Sequence, residues 1–137
     1  MTSKLTVVTP PDIHLVPGLR ILLIGDYRFT TDVQDLIGAY WLNEDVVLYK
    51  VDAKADDDLE WCFVHGKLAD IIVVDVLHMW DCAWPILAGS NADIFFKAFD
   101  DGTNYQKTIK TLKLTYGDRV FHTKEDAVMA AIGTRHK

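Results

Sequence analysis

The chain has 137 residues, of which half are hydrophobic and a quarter are charged, as expected for one soluble globular domain with a single core. Acidic residues number 20 against 14 Lys and Arg, which gives a formal net charge of -6. This charge repels a phosphate backbone, so duplex nucleic acid is not an expected partner. No run approaches the roughly 18 apolar residues that cross a bilayer, so no membrane partner is expected either.

The two cysteines, Cys62 and Cys82, stand apart, without a CxxC pair or a neighbouring Cys/His set. Such usage is typical of reduced thiols and favours a cytoplasmic location. The pattern predicts neither a metal site nor a cofactor.

Residues 1–18 are predicted to form an N-terminal arm that precedes one α/β domain at 19–137. Within the arm, residues 5–8 can add a short edge strand, and Pro10 and Pro11 then interrupt any ladder because proline has no N–H. The run at 19–24, which is apolar except for Arg20, predicts a central strand that is buried on both faces.

Strands and helices then alternate along the chain. Further strands are predicted at 45–51, 71–76, 92–99 and 120–122. Helices are predicted after an N-cap at Thr30 or Thr31, at 57–68, 86–89 and 105–114, and from Thr123 to an end at Gly133. In the second helix the predicted buried residues are Leu59, Cys62, Phe63 and Leu68. This alternation predicts a three-layer α/β fold, in which a five-stranded, mostly parallel sheet carries helices on both faces.

Four of the predicted strands run into an acidic residue, namely Asp26, Asp52, Asp75 and Asp100. Open parallel sheets bind ligands outside the carboxyl ends of their strands, near the point where the strand order reverses. The acids nearest that point are expected to line a crevice, and Asp26 and Asp75 are the central candidates. A structural role for Asp26, as a cap of the loop or helix that follows, is the simpler alternative.

A histidine and a second acid follow Asp75 closely, at His78 and Asp81. A carboxylate beside an imidazole suits general acid–base chemistry, because histidine titrates near neutral pH. Mixed nitrogen and oxygen ligands also suit a metal, although no spacing here is diagnostic of zinc. If the protein is an enzyme, Asp26, Asp75, His78 and Asp81 are its candidate catalytic residues.

The same stretch contains Trp80 and Trp84, whose spacing of four places them on one side of a helical turn. Buried, they would form a hydrophobic plug beneath the loop. Exposed, they would form an interface for a protein partner or a second copy of the chain, together with Pro10 and Pro11 of the arm.

Two charged runs have simple explanations. The acids at 56–58 match the first turn of a helix, because they complement its positive end. A stripe of Lys107, Lys110 and Lys113 is typical of a solvated helix face, with an anionic partner surface as the alternative.

The segments at 68–75, 81–89 and 92–96 resemble the core of the nucleoside 2-deoxyribosyltransferase-like families. There, an "ADxIV" strand is followed by a helix that carries a nucleophilic Glu, then by another strand. The resemblance implies a Rossmann-like or flavodoxin-like fold and a nucleoside-sized pocket. The position expected for the Glu is Pro85, and no other acid lies between Asp81 and Asp93. Without that nucleophile, covalent glycosyl transfer is not implied.

A weaker resemblance links the chain to response-regulator receiver domains. It places Asp75 where the phosphorylated Asp would lie, and Asp26 near the acidic site. The paired acids of that family are reduced here to Gly25-Asp26.

These features favour a non-enzymatic α/β binding or assembly module that acts through a protein interface. Such a module fits a component of a larger assembly, including a virus particle. The alternative is a nucleoside- or nucleotide-processing enzyme that uses the acids at the strand ends. Acids that converge on an open pocket would favour a small nucleoside-like ligand, whereas a filled rim with exposed tryptophans would favour a partner surface.

Overall fold

A computed structural model describes residues 4–10, 17–41, 44–52, 59–75, 83–97 and 106–135. The strands are β1 (Leu5–Val8), β2 (Leu19–Gly25), β3 (Val46–Asp52), β4 (Ile71–Asp75), β5 (Asp93–Lys97) and β6 (Val120–Phe121). The helices are α1 (Tyr27–Tyr40), α2 (Leu59–Leu68), α3 (Ala83–Ala88), α4 (Gln106–Tyr116) and α5 (Lys124–Arg135). A 3₁₀ turn, Gly117–Arg119, lies between α4 and β6.

The six strands form one sheet in the order β1-β3-β2-β4-β5-β6, and every pair of neighbours is parallel. The predicted α/β fold with a parallel sheet and surrounding helices is thereby confirmed. The sixth strand is β1 of the arm, which pairs with β3 at the edge of the sheet. The chain moves outward from β2 to β3 and then returns to the other side of β2 at β4. The strand order therefore reverses between β2 and β4.

Alternate residues of the strands point to opposite faces of the sheet and build two separate cores. The α1–α5 face is covered by helices α1 and α5. Its buried members are Leu19, Ile21, Leu23, Phe29, Val33, Ile37, Trp41, Val46, Leu48, Ile71, Val73, Phe95, Ala127, Val128 and Ala131. The α2–α4 face is covered by helices α2, α3 and α4. Its buried members are Val8, Leu22, Ile24, Val47, Tyr49, Trp61, Cys62, Ala69, Ile72, Val74, Ile86, Leu87, Ile94, Phe96 and Leu112.

The start of α1 differs from the sequence prediction. The helix begins at Tyr27 with Asp26 as its N-cap, so the caps expected at Thr30 or Thr31 are wrong. Asp26 is the N-cap because it follows the end of β2 directly and its carboxylate reaches a free N–H group of the first turn. Thr30 instead lies buried inside the helix.

Two later helix ends also differ from prediction. Helix α4 continues to Tyr116 and stops where Gly117 takes a φ of 59°, a left-handed conformation that ends helices. Helix α5 passes through Gly133 to Arg135, so the predicted end at Gly133 is wrong. Its N-cap is predicted correctly, since the Thr123 hydroxyl accepts the Asp126 N–H at 3.1 Å.

The buried side of α2 agrees only in part with the sequence prediction. Cys62 is buried as expected, but Leu68 is 38% exposed, and the helix also buries Trp61 and His65. The side chains of Leu59 and Phe63 are not among those described. None of the described helices is long and apolar enough to cross a membrane.

Candidate functional site

A cleft of about 390 Å³ opens at the carboxyl ends of the strands, beside the reversal of strand order. Residues from the ends of β2, β4, β5 and β6 and from the starts of α1 and α5 line it. They are Asp26, Arg28, Phe29, Asp75, Lys97, His122, Thr123, Lys124 and Glu125. This is the position at which open α/β sheets bind their ligands.

Close packing between β2 and α1 sets the position of Asp26. A Cβ on Gly25 would overlap Cδ1 of Phe29, so only glycine lets the ring of Phe29 approach the strand this closely. Immediately afterwards, the Asp26 carboxylate accepts the Phe29 N–H at 2.8 Å and the Asp26 carbonyl accepts the Thr30 N–H at 3.0 Å. The structural role considered for Asp26 is therefore present, and its carboxylate still borders the cleft.

Asp75 ends β4 and is 5% exposed. Strand pairing sets it opposite Lys97 of β5, and its Oδ1 lies 4.0 Å from Nζ of that lysine. Burying a carboxylate is costly without a counter-charge or hydrogen bonds, and Lys97 supplies a counter-charge. The pair forms the floor of the cleft, with an acceptor and a donor side by side.

Basic groups and helix ends surround this floor. Arg28 lies in the first turn of α1, is exposed, and makes no hydrogen bond or ion pair with another described residue. Lys124 begins α5 and forms an ion pair with Asp32 of α1. Because the N-terminal ends of both α1 and α5 border the cleft, their helix dipoles add positive potential to that of the side chains.

The sequence-predicted residues are thus partly brought together. Asp26 and Asp75 border the same cleft, and Asp52 ends β3 opposite Gly25 at the same edge of the sheet. Pro10 follows β1 and is half-buried, away from the cleft lining. The remaining predicted site residues with no described side chain are Pro11, His78, Trp80, Asp81, Trp84 and Asp100. All of these except Trp84, which belongs to α3, lie outside the described residues.

Sequence reasoning misses the basic half of the cleft, namely Arg28, Lys97, His122 and Lys124. For Lys97 a signal exists, because this charged residue ends β5 directly after the apolar run at 94–96. Nothing local marks the others, since their position depends on how β6 pairs with β5 and how α1 packs against α5.

Among the described residues, no group of three or more His, Cys, Asp or Glu side chains is arranged to hold a metal ion. Comparison with models of known protein families finds no match for the chain, and no curated protein matches it either.

Proposed function

We propose that this domain binds a small polar ligand in the strand-end cleft, and that the ligand combines an anionic group with hydrogen-bond donors, as a nucleotide does. The observation that carries the proposal is the cleft itself, in which acidic and basic side chains converge at the reversal of strand order. Convergent acids that border an open pocket are the feature that favours a small ligand over a purely protein-binding rim.

The basic side of the cleft supports the anionic group. Arg28 presents a guanidinium with no competing described partner, and guanidinium groups bind carboxylate and phosphate oxygens through two parallel hydrogen bonds. Lys97, Lys124 and the two helix N-termini add positive potential in the same space. An anion placed here gains charge-assisted hydrogen bonds from these groups, although acidic side chains line the same cleft.

The acidic side supports the hydrogen-bond donors. An ionised carboxylate only accepts hydrogen bonds, so Asp75 and Asp26 suit the hydroxyl or amino groups of a ligand. Asp75 is buried and lies beside Lys97 at the border of the cleft. A nucleotide offers sugar hydroxyls and base amino groups on one side and a phosphate on the other.

The size of the cleft limits the ligand to a monomer. Its volume of about 390 Å³ lies toward the small end of the range for ligand sites. A mononucleotide fits such a volume better than a dinucleotide or a polymer, and the formal net charge of -6 also disfavours a polyanionic chain.

The proposal concerns binding rather than covalent glycosyl transfer. The resemblance to the deoxyribosyltransferase-like families supports a nucleoside-sized ligand, but Pro85 stands where their nucleophilic Glu is expected. The hypothesis of a protein interface depends on Trp80, Trp84, Pro10 and Pro11. Of these side chains only that of Pro10 is described, and the hypothesis stays a prediction.

Isothermal titration calorimetry with a nucleoside monophosphate, the parent nucleoside and inorganic phosphate tests the proposal. The monophosphate is expected to bind more tightly than either of its parts. Arg28→Ala should weaken the monophosphate about tenfold or more, since hydrogen bonds to charged groups contribute about 1.5–3 kcal/mol, and should leave the nucleoside unaffected. Asp75→Asn should weaken the nucleoside and the monophosphate alike.

Lys110→Ala is the matched control, because Lys110 is an exposed basic residue on α4 that does not line the cleft. Its affinities should equal those of the native protein. Absence of binding across bases and sugars, or an equal loss in Lys110→Ala and Arg28→Ala, would refute the proposal.

A further inference from the structure

The α2–α4 face contains a histidine in an unusual position. His65 of α2 is 0% exposed. Its imidazole stacks on the Tyr49 ring of β3, with centroids 4.2 Å apart and planes inclined by 20°. On the same helix, the Trp61 ring lies 4.4 Å from it, centroid to centroid. The ring therefore joins α2 to the sheet as an aromatic core residue would.

Unlike a core phenylalanine, His65 brings two nitrogens into this core. Neither Nδ1 nor Nε2 has a hydrogen-bond partner in the described structure. Buried polar groups are normally hydrogen-bonded, because leaving water without a new partner costs free energy. The neutral imidazole already bears that cost, and a proton on the ring would add the cost of an uncompensated charge.

The groups around His65 give a positive charge no compensation. From β2, the positive charge of Arg20 acts on both His65 and Tyr49 of β3. From α2 itself, the neighbours are Trp61 and the buried thiol of Cys62, one turn before His65. No carboxylate of the described residues forms an ion pair with the ring. The attraction of a cation to the two aromatic rings is weaker than the cost of burying a charge without a counter-ion.

We infer that His65 makes the attachment of α2 to the sheet acid-sensitive, so that protonation of its ring releases α2 while the α1–α5 face stays folded. The device needs no ligand in the cleft and does not depend on the proposed function. Helix α2 is suited to local opening because Gly66 weakens its last turn and its packing includes this unpartnered polar ring.

The direction of the pKa shift of His65 agrees with its burial without hydrogen-bond partners. Burial lowers the pKa of His65 below its ordinary value of 6.5, and the positive charge of Arg20 lowers this pKa further. At a pH between 6.5 and the lower pKa of the native state, His65 binds a proton in an open or unfolded state but stays neutral in the native state. Neutral His65 therefore makes its full contribution to stability above about pH 6.5. This contribution is lost as the pH falls from there through the lower native-state pKa.

Hydrogen–deuterium exchange of the native protein between pH 7.5 and 5, corrected for intrinsic exchange, tests the inference. The protection of α2 amides should fall below about pH 6.5 by up to tenfold per pH unit, the limit for one proton. The protection of α1 amides should stay constant. His65→Phe, which keeps an aromatic ring but cannot titrate, should remove the pH dependence of α2.

His122→Gln is the matched control, because His122 is exposed and follows β6, at the far edge of the sheet from β3. This variant should keep the acid response of α2. A response that survives in His65→Phe, or a parallel loss of protection in α1, would overturn the inference. If His65→Phe does not fold, the NMR titration of the His65 ring in the native protein decides, since a pKa at or above 6.5 would also overturn it.

Discussion

The two faces of the sheet use different chemistry to do the same structural task. On the α1–α5 face, none of the described buried hydrophobic residues of the core titrates, and the polar contacts of α1, such as the hydrogen bond that Lys50 of β3 donates to Gln34, are only partly buried. On the α2–α4 face, His65, Tyr49 and the side chain of Arg20 lie within the packing of α2. The buried core of the first face should therefore respond less to pH than that of the second.

The stability of the α2–α4 face should fall at both acid and alkaline pH. Burial raises the pKa of the Tyr49 hydroxyl above its ordinary value of 10.0, although the charge and hydrogen bond of Arg20 oppose this. A raised pKa means that the contribution of neutral Tyr49 is complete below pH 10 and is lost above it. His65 acts in the opposite sense at acid pH. The buried polar groups His65 and Tyr49 therefore limit the pH range in which the α2–α4 face is fully stable.

We expect the largest loss of stability from a substitution in the core of the α1–α5 face. Ile37 of α1 is 1% exposed and belongs to the α1–α5 core. Ile37→Ala should lower the free energy of unfolding by about 2–5 kcal/mol, because it removes buried methylenes and leaves a cavity. This loss, measured by urea denaturation, should be the same at pH 7.5 and pH 5.5.

Leu114→Ala is the control for that measurement, because Leu114 is 89% exposed and its truncation should change stability by less than about 0.5 kcal/mol. If the loss of unfolding free energy in Ile37→Ala differed strongly between pH 7.5 and pH 5.5, the stability of the α1–α5 face would depend on pH. The proposed difference between the two faces would then be wrong.

A smaller effect tests how tightly the α2–α4 face is packed. A Cβ on Gly66 would lie 2.7 Å from Cγ2 of Ile86, a contact that forces α2 and α3 apart. Gly66→Ala should therefore cost about 1–3 kcal/mol, as overpacking does, in spite of the better helix propensity of alanine.

Gly133→Ala is the matched substitution, because Gly133 also lies inside a helix but a Cβ added there would meet no described atom within 4 Å. It should stabilise the protein by up to about 1 kcal/mol. Thermal unfolding of both variants gives the comparison directly. An unchanged or raised Tm for Gly66→Ala would show that α2 is loosely attached even at neutral pH.

The parallel sheet and the gathering of acids at its strand ends can be predicted from the sequence, because both follow from local patterns. Apolar runs that stop at Asp26 and Asp75 mark the carboxyl ends of central strands, and a parallel sheet gathers such ends at one edge. The pairing of Asp75 with Lys97 cannot be predicted in the same way, because it depends on the register between β4 and β5, which are separated along the chain by α3.

Sequence reasoning misses the burial of His65 for a related reason. Helical periodicity in α2 favours Leu68 as a core residue, yet Leu68 is exposed and His65 is fully buried. The helix is apolar on more than one side, so periodicity alone does not define which side meets the sheet. Stacking on Tyr49 of β3 is a contact between residues distant in sequence, and only the tertiary structure shows it.

The smallest expected effect concerns the beginnings of the helices on the α1–α5 face. Asp26→Ala removes the acceptor of the Phe29 N–H and should lower the free energy of unfolding by about 1 kcal/mol, whereas Asp26→Asn keeps an N-cap and should cost much less. Thr123→Ala at the start of α5 should cost less than Asp26→Ala, because the Asp126 N–H is exposed and water can replace the lost hydroxyl. Urea midpoints of the three variants decide the order. An equal loss in Asp26→Ala and Asp26→Asn would mean that the charge of Asp26 toward the cleft, and not its cap, is what stabilises the start of α1.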